Sequence, residues 1–394
     1  MLRISRTNTG PVGEWWFTVD RYMLFGIIFL GLSGLFFSLA VSPVEAGHLK
    51  ANQYYFLIKQ SVFLLISITL MITISILPKE FTRKISLILF IFSLLGVLLT
   101  LIIGLSSGGA SRWISVFGII TIQPSEFLKP CLIILSAWFF ARSKEEQNSK
   151  YSLIPGLLFI LVAILLMLQP DLGQTILLFI TILCLVFVQG FPWLIIAPAG
   201  LVSMISIIFF YFNFPHFASR LDSWIEIWFG GGAANSKLTQ TQAAIDAIEN
   251  GQIFGKGIGE SWVKYHLPDA YTDFVFAAIA EESGLIVTIS LMILYLILIM
   301  RGLIRSMNQN NFFNQLASSG LIILFGLQAL IHIAVNLSLI PAKGMTLPFI
   351  SYGGSSLLAM GITMGMFLAL TKKTCLLYTS DAADEEDSVD LGGR

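Results

Sequence analysis

The sequence predicts an all-α polytopic membrane protein with ten transmembrane helices. One observation is composition, because 56% of the 394 residues are hydrophobic and only 12% are charged, with a mean hydropathy of +0.83. A second is that the apolar residues form runs of about 20, the length that crosses the hydrocarbon core of a bilayer. Such a chain is too apolar to leave its surface in water, so we expect most of that surface to face lipid.

The predicted spans follow one another with few interruptions. The first is longer than the apolar core of a usual signal peptide and a second follows soon after it, so we interpret it as a retained helix. The ten spans are 22–41, 56–77, 85–104, 124–141, 152–168, 174–190, 193–212, 274–300, 314–339 and 353–371.

Basic residues between the spans predict the orientation. Five groups of them fall on one side of the predicted bundle, which the positive-inside rule makes cytoplasmic, together with both termini. The groups are Arg3, Arg6 and Arg21; Lys79, Arg83 and Lys84; Arg142, Lys144 and Lys150; Arg301 and Arg305; and Lys372 and Lys373. The opposite side carries a large extracytoplasmic loop between helices 7 and 8, at about 213–273, and a loop of that length is usually functional or disordered. A helix-like stretch in this loop ends at Gly251, so we expect the loop to be structured and to lie on the membrane surface.

The domain organisation is simple. Residues 1–374 are predicted to form a single ten-helix domain, and residues 375–394 a tail with six acidic residues and one basic residue. The tail is interpreted as disordered or non-native and receives no role. The three scattered cysteines indicate neither a disulfide framework nor a zinc site.

Three carboxylates, Asp273, Glu281 and Glu282, lie at a predicted membrane edge in the segment LPDAYTDFVFAAIAEESGL. A carboxylate at that depth is by default a functional candidate. On a continuous helix Asp273 and Glu281 would share one stripe about 12 Å apart, which is too wide for the carboxylate pair of a glycoside hydrolase. Asp273 is therefore either a single functional carboxylate or a cap for the free amides at the helix start. Glu281 is interpreted as a buried partner deeper in the bundle.

Two other segments carry charge or irregular backbone. At the start of the fourth span, Glu126 and Lys129 are neighbours that either neutralise each other or leave Lys129, with Arg112, to bind a phosphate. The segment 341–356, around Lys343, is too rich in Gly and Pro for a regular helix, and such backbone occurs at membrane depth where it lines a wet cavity. The glycines of GKGIG, at 255–259, resemble a phosphate loop only weakly, and a flexible turn is favoured.

Taken together, the motifs resemble those of the SEDS (shape, elongation, division and sporulation) family of bacterial cell-wall glycosyltransferases. The resemblance runs from Trp15 to about Thr374 and includes GGASRWI, IQPSEFLK, QPDLG, GKGIG, LPDAYTDF, AEESG and PAKGMTLPFISYGGSS. The versions KGMTLPFISYGGSS and WWFTVDR look like the cell-division (FtsW) branch. Tyr271 departs from the histidine of many relatives, and the acidic tail lies outside the family pattern.

The resemblance implies a peptidoglycan glycosyltransferase of the bacterial inner membrane, located at the division septum, with its active site facing the periplasm. It would polymerise lipid II into glycan strands by an inverting single displacement that releases undecaprenyl diphosphate, with Asp273 as the catalytic base. A lipid II flippase and a non-catalytic division scaffold are the alternatives. The implied partners are lipid II, the nascent glycan strand, a class B penicillin-binding protein, other division-site membrane proteins and membrane lipid. Nucleic acid is not expected.

The remaining site candidates follow from the charge of the leaving group. A divalent cation, Mg²⁺ or Mn²⁺, at Asp273 is an open alternative that no ligand cluster in the sequence demands. Candidates for contacting substrate or pyrophosphate are Arg112, Lys129, Lys343, Ser125, Glu126, Gly353, Gly354 and Ser355. Candidates for supporting roles are Glu281, Asp171 and Gln169.

Overall fold

The computed structural model describes most of the chain. The described residues are 11–48, 54–107, 110–116, 120–190, 240–257, 259–260, 270–341 and 344–373, with a few isolated positions between 200 and 225 and at 267. The seventh predicted span, most of the large loop, Lys343 and the acidic tail lie outside them.

The described chain is mostly helical, as predicted. The helices are α1 (Pro11–Thr18), α2 (Arg21–His48), α3 (Tyr55–Ile76), α4 (Lys79–Ile103), α5 (Pro124–Glu145), α6 (Lys150–Leu168), α7 (Leu172–Val188), α8 (Gln240–Gly251), α9 (Val275–Met307), α10 (Phe312–Asn336) and α11 (Gly354–Leu370). Among these described helices, seven are long and apolar enough to cross a membrane, namely α2 to α6, α9 and α10, whereas α7 and α11 are shorter apolar helices. The count of ten spans stays a prediction.

Three short strands, absent from the all-α prediction, connect α4 to α5. They are β1 (Leu105–Ser107), β2 (Ala110–Val116) and β3 (Ile120–Ile122), and they form an antiparallel sheet in the order β1-β2-β3. The register pairs Leu105 with Trp113 and Ile114 with Ile122. The segment SSGG disfavours a continuation of α4, and the β-branched residues of ITI suit a strand, so the local sequence accounts for strands between the two predicted spans.

Helix α5 lies at the centre of the bundle, with most of its residues buried. It packs against α4, α6, α7, α10 and α11. Helix α11 packs closely along α3, where a Cβ at Gly361 would lie 2.5 Å from the Ser67 carbonyl oxygen. Small residues allow this close approach of two helix backbones, as is common in membrane bundles.

The basic ends of several helices meet at one end of the bundle. Asp20, before α2, lies 2.9 Å from Arg301 Nη2 and 2.8 Å from Arg305 Nε, both near the end of α9. Lys372, after α11, donates to the carbonyls of Ile76 and Leu77 at the end of α3. Arg301, Arg305 and Lys372, three of the basic residues that were predicted to share one side, therefore lie at the same end of the bundle.

Helix α9 differs from the predicted continuous helix in two places. It begins at Val275, so Phe274 holds the N-cap position that the cap interpretation gave to Asp273. It is also broken at Gly284, whose φ of 77° and ψ of 177° are not helical. The projection of Asp273 and Glu281 onto one stripe of a continuous helix is therefore wrong, because Asp273 lies before the start of α9.

Candidate active site

Asp273 lies in a turn that is attached to two other parts of the chain. Before it, the Thr272 carbonyl accepts from Ser351 Oγ (2.7 Å) and the Tyr271 carbonyl from the Tyr352 amide (3.0 Å). Its own carbonyl accepts from Asn336 Nδ2 of α10 at 3.1 Å. The side chain is half-buried, so this carboxylate combines a fixed backbone with partial access to solvent.

The Asp273 carboxylate faces Gly344. A Cβ at position 344 would lie 2.8 Å from Asp273 Oδ2, closer than two non-bonded atoms can approach without displacement. Glycine therefore leaves the space that the carboxylate occupies. Position 344 immediately follows Lys343, whose placement lies outside the described residues.

A polar stripe on α10, formed by Gln328, His332 and Asn336, holds this region together. All three side chains are buried. Gln328 Nε2 donates to the Thr346 carbonyl (3.1 Å), and His332 Nδ1 bonds to the Met345 carbonyl (2.6 Å). Because a carbonyl only accepts, the Nδ1 nitrogen must carry the proton. These three residues were not among the site residues predicted from the sequence, although polar residues at i, i+4 and i+8 in an apolar span were the available signal.

Glu126 and Lys129 form an ion pair inside the bundle. Lys129 Nζ lies 2.8 Å from Glu126 Oε2, and both side chains are buried. Lys129 also donates to Gln328 Oε1 (3.1 Å), and Gln174 Nε2 donates to Glu126 Oε1 (2.6 Å). The pairing that the sequence left open is therefore present, and it joins the α10 polar stripe. Ser125 is buried beside it.

Arg112, Asp171 and Gln169 form a second cluster. Arg112 Nη1 lies 3.8 Å from Asp171 Oδ1, and the Arg112 side chain remains 30% exposed. Arg112 Nε donates to the Gln169 carbonyl (3.2 Å) and Nη2 to the Pro170 carbonyl. Burial raises the pKa of the Asp171 carboxyl above its ordinary value, and the charge of Arg112 offsets only part of this rise. Arg112 is thus held in place while part of its side chain stays accessible.

The start of α11 connects with the strands and with the 344–346 segment. Ser355 Oγ accepts from the Gln123 amide (3.0 Å), and Ser356 Oγ is 2.6 Å from Thr346 Oγ1. A Cβ at Gly354 would lie 2.7 Å from the Phe63 ring. Gly353 is the N-cap residue of α11. These residues connect the cluster around Arg112 to the α10 polar stripe.

Glu281 lies apart from these groups, at the break in α9. Its carboxylate is fully buried, as expected, and its Oε1 is 3.8 Å from Lys256 Nζ. The amides of Lys256 and Gly257 donate to the carbonyls of Glu281 (2.9 Å) and Glu282 (3.1 Å). Because those two amides bond to α9, they do not cradle a phosphate, and the phosphate-loop alternative is wrong for them.

The described residues contain no group of three or more His, Cys, Asp or Glu side chains that could hold a metal ion. Mg²⁺ is commonly bound through one or two carboxylates together with substrate phosphates. Asp273 fits such a shared arrangement with a pyrophosphate, but not a site built from described protein ligands alone. A divalent cation at Asp273 stays a prediction.

Comparison with known proteins identifies the family. The sequence profile of the FtsW, RodA and SpoVE family, described as cell cycle proteins, matches residues 20–375. A protein named probable peptidoglycan glycosyltransferase FtsW from Caulobacter vibrioides (strain NA1000 / CB15N) is 39% identical over 370 residues, which cover 94% of this chain and 93% of that protein. A protein of the same name from Coxiella burnetii (strain RSA 493 / Nine Mile phase I) is 33% identical over 368 residues, covering 90% and 96%.

Solved structures share the fold. One chain, described under "Structural coordination of polymerization and crosslinking by a peptidoglycan synthase complex", matches with a TM-score of 0.74 and 26% identity, covering 90% of this chain and 98% of that one. The rod shape determining protein RodA of Thermus thermophilus matches with a TM-score of 0.64 and 25% identity, covering 90% and 97%. From the profile match and these relatives, the chain belongs to the FtsW, RodA and SpoVE family of cell cycle proteins.

Proposed function

We propose that this protein is a peptidoglycan glycosyltransferase that polymerises lipid II into glycan strands during cell division. The observation that carries the proposal is the Asp273 carboxylate, held in a fixed turn and facing Gly344. The names of its relatives supply the reaction class.

Asp273 would act as the general base. An α-linked donor that gives a β-1,4 product is inverted by a single displacement, which needs one base to take the proton of the acceptor hydroxyl. The acceptor oxygen then attacks the anomeric carbon of the donor, and undecaprenyl diphosphate leaves. One carboxylate is sufficient for this step, so Glu281, paired with Lys256 elsewhere, is assigned a structural role.

The leaving pyrophosphate needs positive charge as the bond breaks. Arg112 is the best placed of the candidates, because its side chain is partly exposed and its guanidinium is held by Asp171 and Gln169. Lys129 is buried, so in the described arrangement it acts on the site through Glu126 and Gln328. Lys343, which precedes Gly344 in the sequence and lies outside the described residues, stays a candidate for contacting the pyrophosphate. Gly353, Gly354, Ser355 and Ser125 stay candidates for contacting the substrate.

The topology belongs to the same proposal. Residues 1–374 would form one domain of ten spans, with both termini in the cytoplasm and the loop at about 213–273 in the periplasm. The grouping of Asp20, Arg301 and Lys372 at one end of the bundle supports this orientation. The active site would then face the periplasm, at the septum of the inner membrane.

A class B penicillin-binding protein is the proposed partner. The similar chain described with a complex that coordinates polymerization and crosslinking supports this pairing. The partner would crosslink the strands that this protein makes. Other division-site membrane proteins and membrane lipid complete the proposed surroundings.

The test is polymerisation of purified lipid II by the protein with its partner, whose transpeptidase serine is inactivated. Asp273→Asn keeps the shape of the side chain and removes the base, so we expect strand synthesis to fall by about 100-fold or more. Asp246→Asn, on α8 of the outer loop, is the matched control and should retain activity.

Three results would contradict the proposal. Normal strand synthesis by Asp273→Asn would exclude the carboxylate as base. Lipid II translocation across vesicles with no polymerisation would identify a flippase instead. If Asp273→Asn cells divide normally and a deletion within the outer loop does not permit division, the scaffold alternative is favoured.

A further inference from the structure

We propose that Asn336, on α10, positions Asp273, which lies just before α9. This inference rests on the proposed function of Asp273. On this proposal, contacts from α10 determine the position of the catalytic carboxylate.

The backbone amides in the first turn of helix α9 need acceptors from outside the helix. The first four amides of a helix have no partner within the helix, and the N-cap residue Phe274 supplies no side-chain acceptor. The first amide with a helical partner is Ala278, which donates to the Phe274 carbonyl at 3.2 Å. The Ala277 amide therefore needs an acceptor from elsewhere.

Asn336 supplies that acceptor and also holds the residue before the helix. Its Oδ1 accepts from the Ala277 amide at 3.0 Å. Its Nδ2 donates to the Asp273 carbonyl at 3.1 Å and to the His332 carbonyl at 2.8 Å. One buried amide thus binds the chain on both sides of the Phe274 N-cap. The amide orientation is determined, because the Ala277 N–H can only donate and the two carbonyls can only accept.

The same face of α10 also positions the segment 344–346, which lies opposite the Asp273 carboxylate. His332 bonds to the Met345 carbonyl and Gln328 to Thr346, which fixes the segment directly after Gly344. The positions of Asp273 and Gly344 are therefore both determined by contacts with one helix, α10. Gln328, His332 and Asn336 follow one another at intervals of four residues along α10. This spacing determines the distance between the Asp273 carboxylate and the segment 344–346.

The rate of a reaction that uses a general base is sensitive to where that base is placed. A misplacement of 1 Å in a catalytic group costs about 100-fold in rate. Asn336 does not reach the substrate through its described contacts, which are all to protein backbone. Its effect should therefore appear in the chemical step rather than in substrate binding.

The test compares Asn336→Asp and Asn336→Ala with the wild-type protein in complex with its partner. Aspartate still accepts from the Ala277 amide but cannot donate to the Asp273 carbonyl, whereas alanine loses both contacts. For both variants we expect kcat for lipid II polymerisation to fall by about 10- to 100-fold with KM unchanged. Hydrogen exchange at the Ala277 amide should accelerate in Asn336→Ala and stay slow in Asn336→Asp.

Asn314→Ala, the same chemical change at the other end of α10, is the control and should match the wild type in both measurements. The Asn336→Asp variant keeps the proposal testable if Asn336→Ala does not fold. Wild-type kcat in a folded Asn336→Asp variant would overturn the inference, as would a rise in KM with kcat unchanged.

Parallel measurement of Asp273→Asn separates this inference from the proposed function. If Asp273→Asn is inactive and Asn336→Asp is fully active, the positioning role fails and the base remains. If Asp273→Asn is active, the proposed function itself fails, and with it the role assigned to Asn336.

Discussion

Lys129 Nζ lies 2.8 Å from Glu126 Oε2 in the interior of the bundle, where neither side chain reaches solvent to any extent. Two opposite charges at this depth stabilise the fold only as a pair, because removing one leaves the other charged and unpaired. The pair is extended by Gln174 and Gln328, so each charge also has a neutral hydrogen-bond partner.

Removing one member of this pair should destabilise the fold strongly, whereas replacing both members with neutral residues should have a much smaller effect. We expect Lys129→Met to lower the free energy of unfolding by about 3–5 kcal/mol, whereas Lys129→Met combined with Glu126→Gln should recover most of the loss. Thermal unfolding in detergent micelles measures both. A double variant as unstable as the single one would contradict this account of the pair.

Gly344→Ala should impair polymerisation with little effect on folding. The added Cβ would lie 2.8 Å from Asp273 Oδ2, so the carboxylate must move, and we expect kcat to fall by about 100-fold. Gly156→Ala is a suitable control, because a Cβ at Gly156 would meet no atom within 4 Å. Equal activity of the two variants would show that the contact at Gly344 is unimportant.

Gly284→Ala should destabilise the protein through the break in α9. Its φ of 77° is unfavourable for alanine, and a Cβ there would overlap the backbone of Ile253 and Phe254. Gly190 has a similar φ of 92° but open space around it, so Gly190→Ala measures the conformational strain alone, about 1–3 kcal/mol. We expect Gly284→Ala to exceed that loss in thermal unfolding. If the two losses are equal, the close packing of the 253–254 backbone on α9 contributes nothing.

Asp20 should contribute a pH-dependent part of the stability. Burial raises the pKa of Asp20, but the Arg301 hydrogen bond, the Met23 amide and the charges of Arg301 and Arg305 outweigh burial, so the net pKa lies below the ordinary value of 3.8. The stabilisation is therefore present above pH 3.8 and disappears as the pH falls through the lower, folded-state pKa.

Asp20→Asn measures this contribution. At pH 7 we expect the variant to be less stable than the wild type by about 1–2 kcal/mol, since the arginines are partly exposed. The difference should shrink below pH 3.8 in unfolding curves recorded across the acid range. A difference that is constant with pH would show that the ionised carboxylate is not its source.

The sequence alone located most of the membrane helices, because a run of about 20 apolar residues is a local property that the bilayer itself imposes. It also singled out Asp273, Arg112 and the Glu126–Lys129 pair, since charge in an apolar chain is rare and visible. Local pattern was less informative at 105–122, between the third and fourth predicted spans, where three short strands form that the sequence did not predict.

Tertiary structure decided which groups those residues meet. The cap position at Phe274, the break at Gly284 and the bonding of the Lys256 and Gly257 amides depend on segments distant in sequence. Asn336 acquires its role only because α10 packs beside the start of α9, 59 residues away from Ala277 along the chain. Hydropathy determines that a helix crosses the membrane, but the pairing of buried polar groups across helices depends on how those helices pack together.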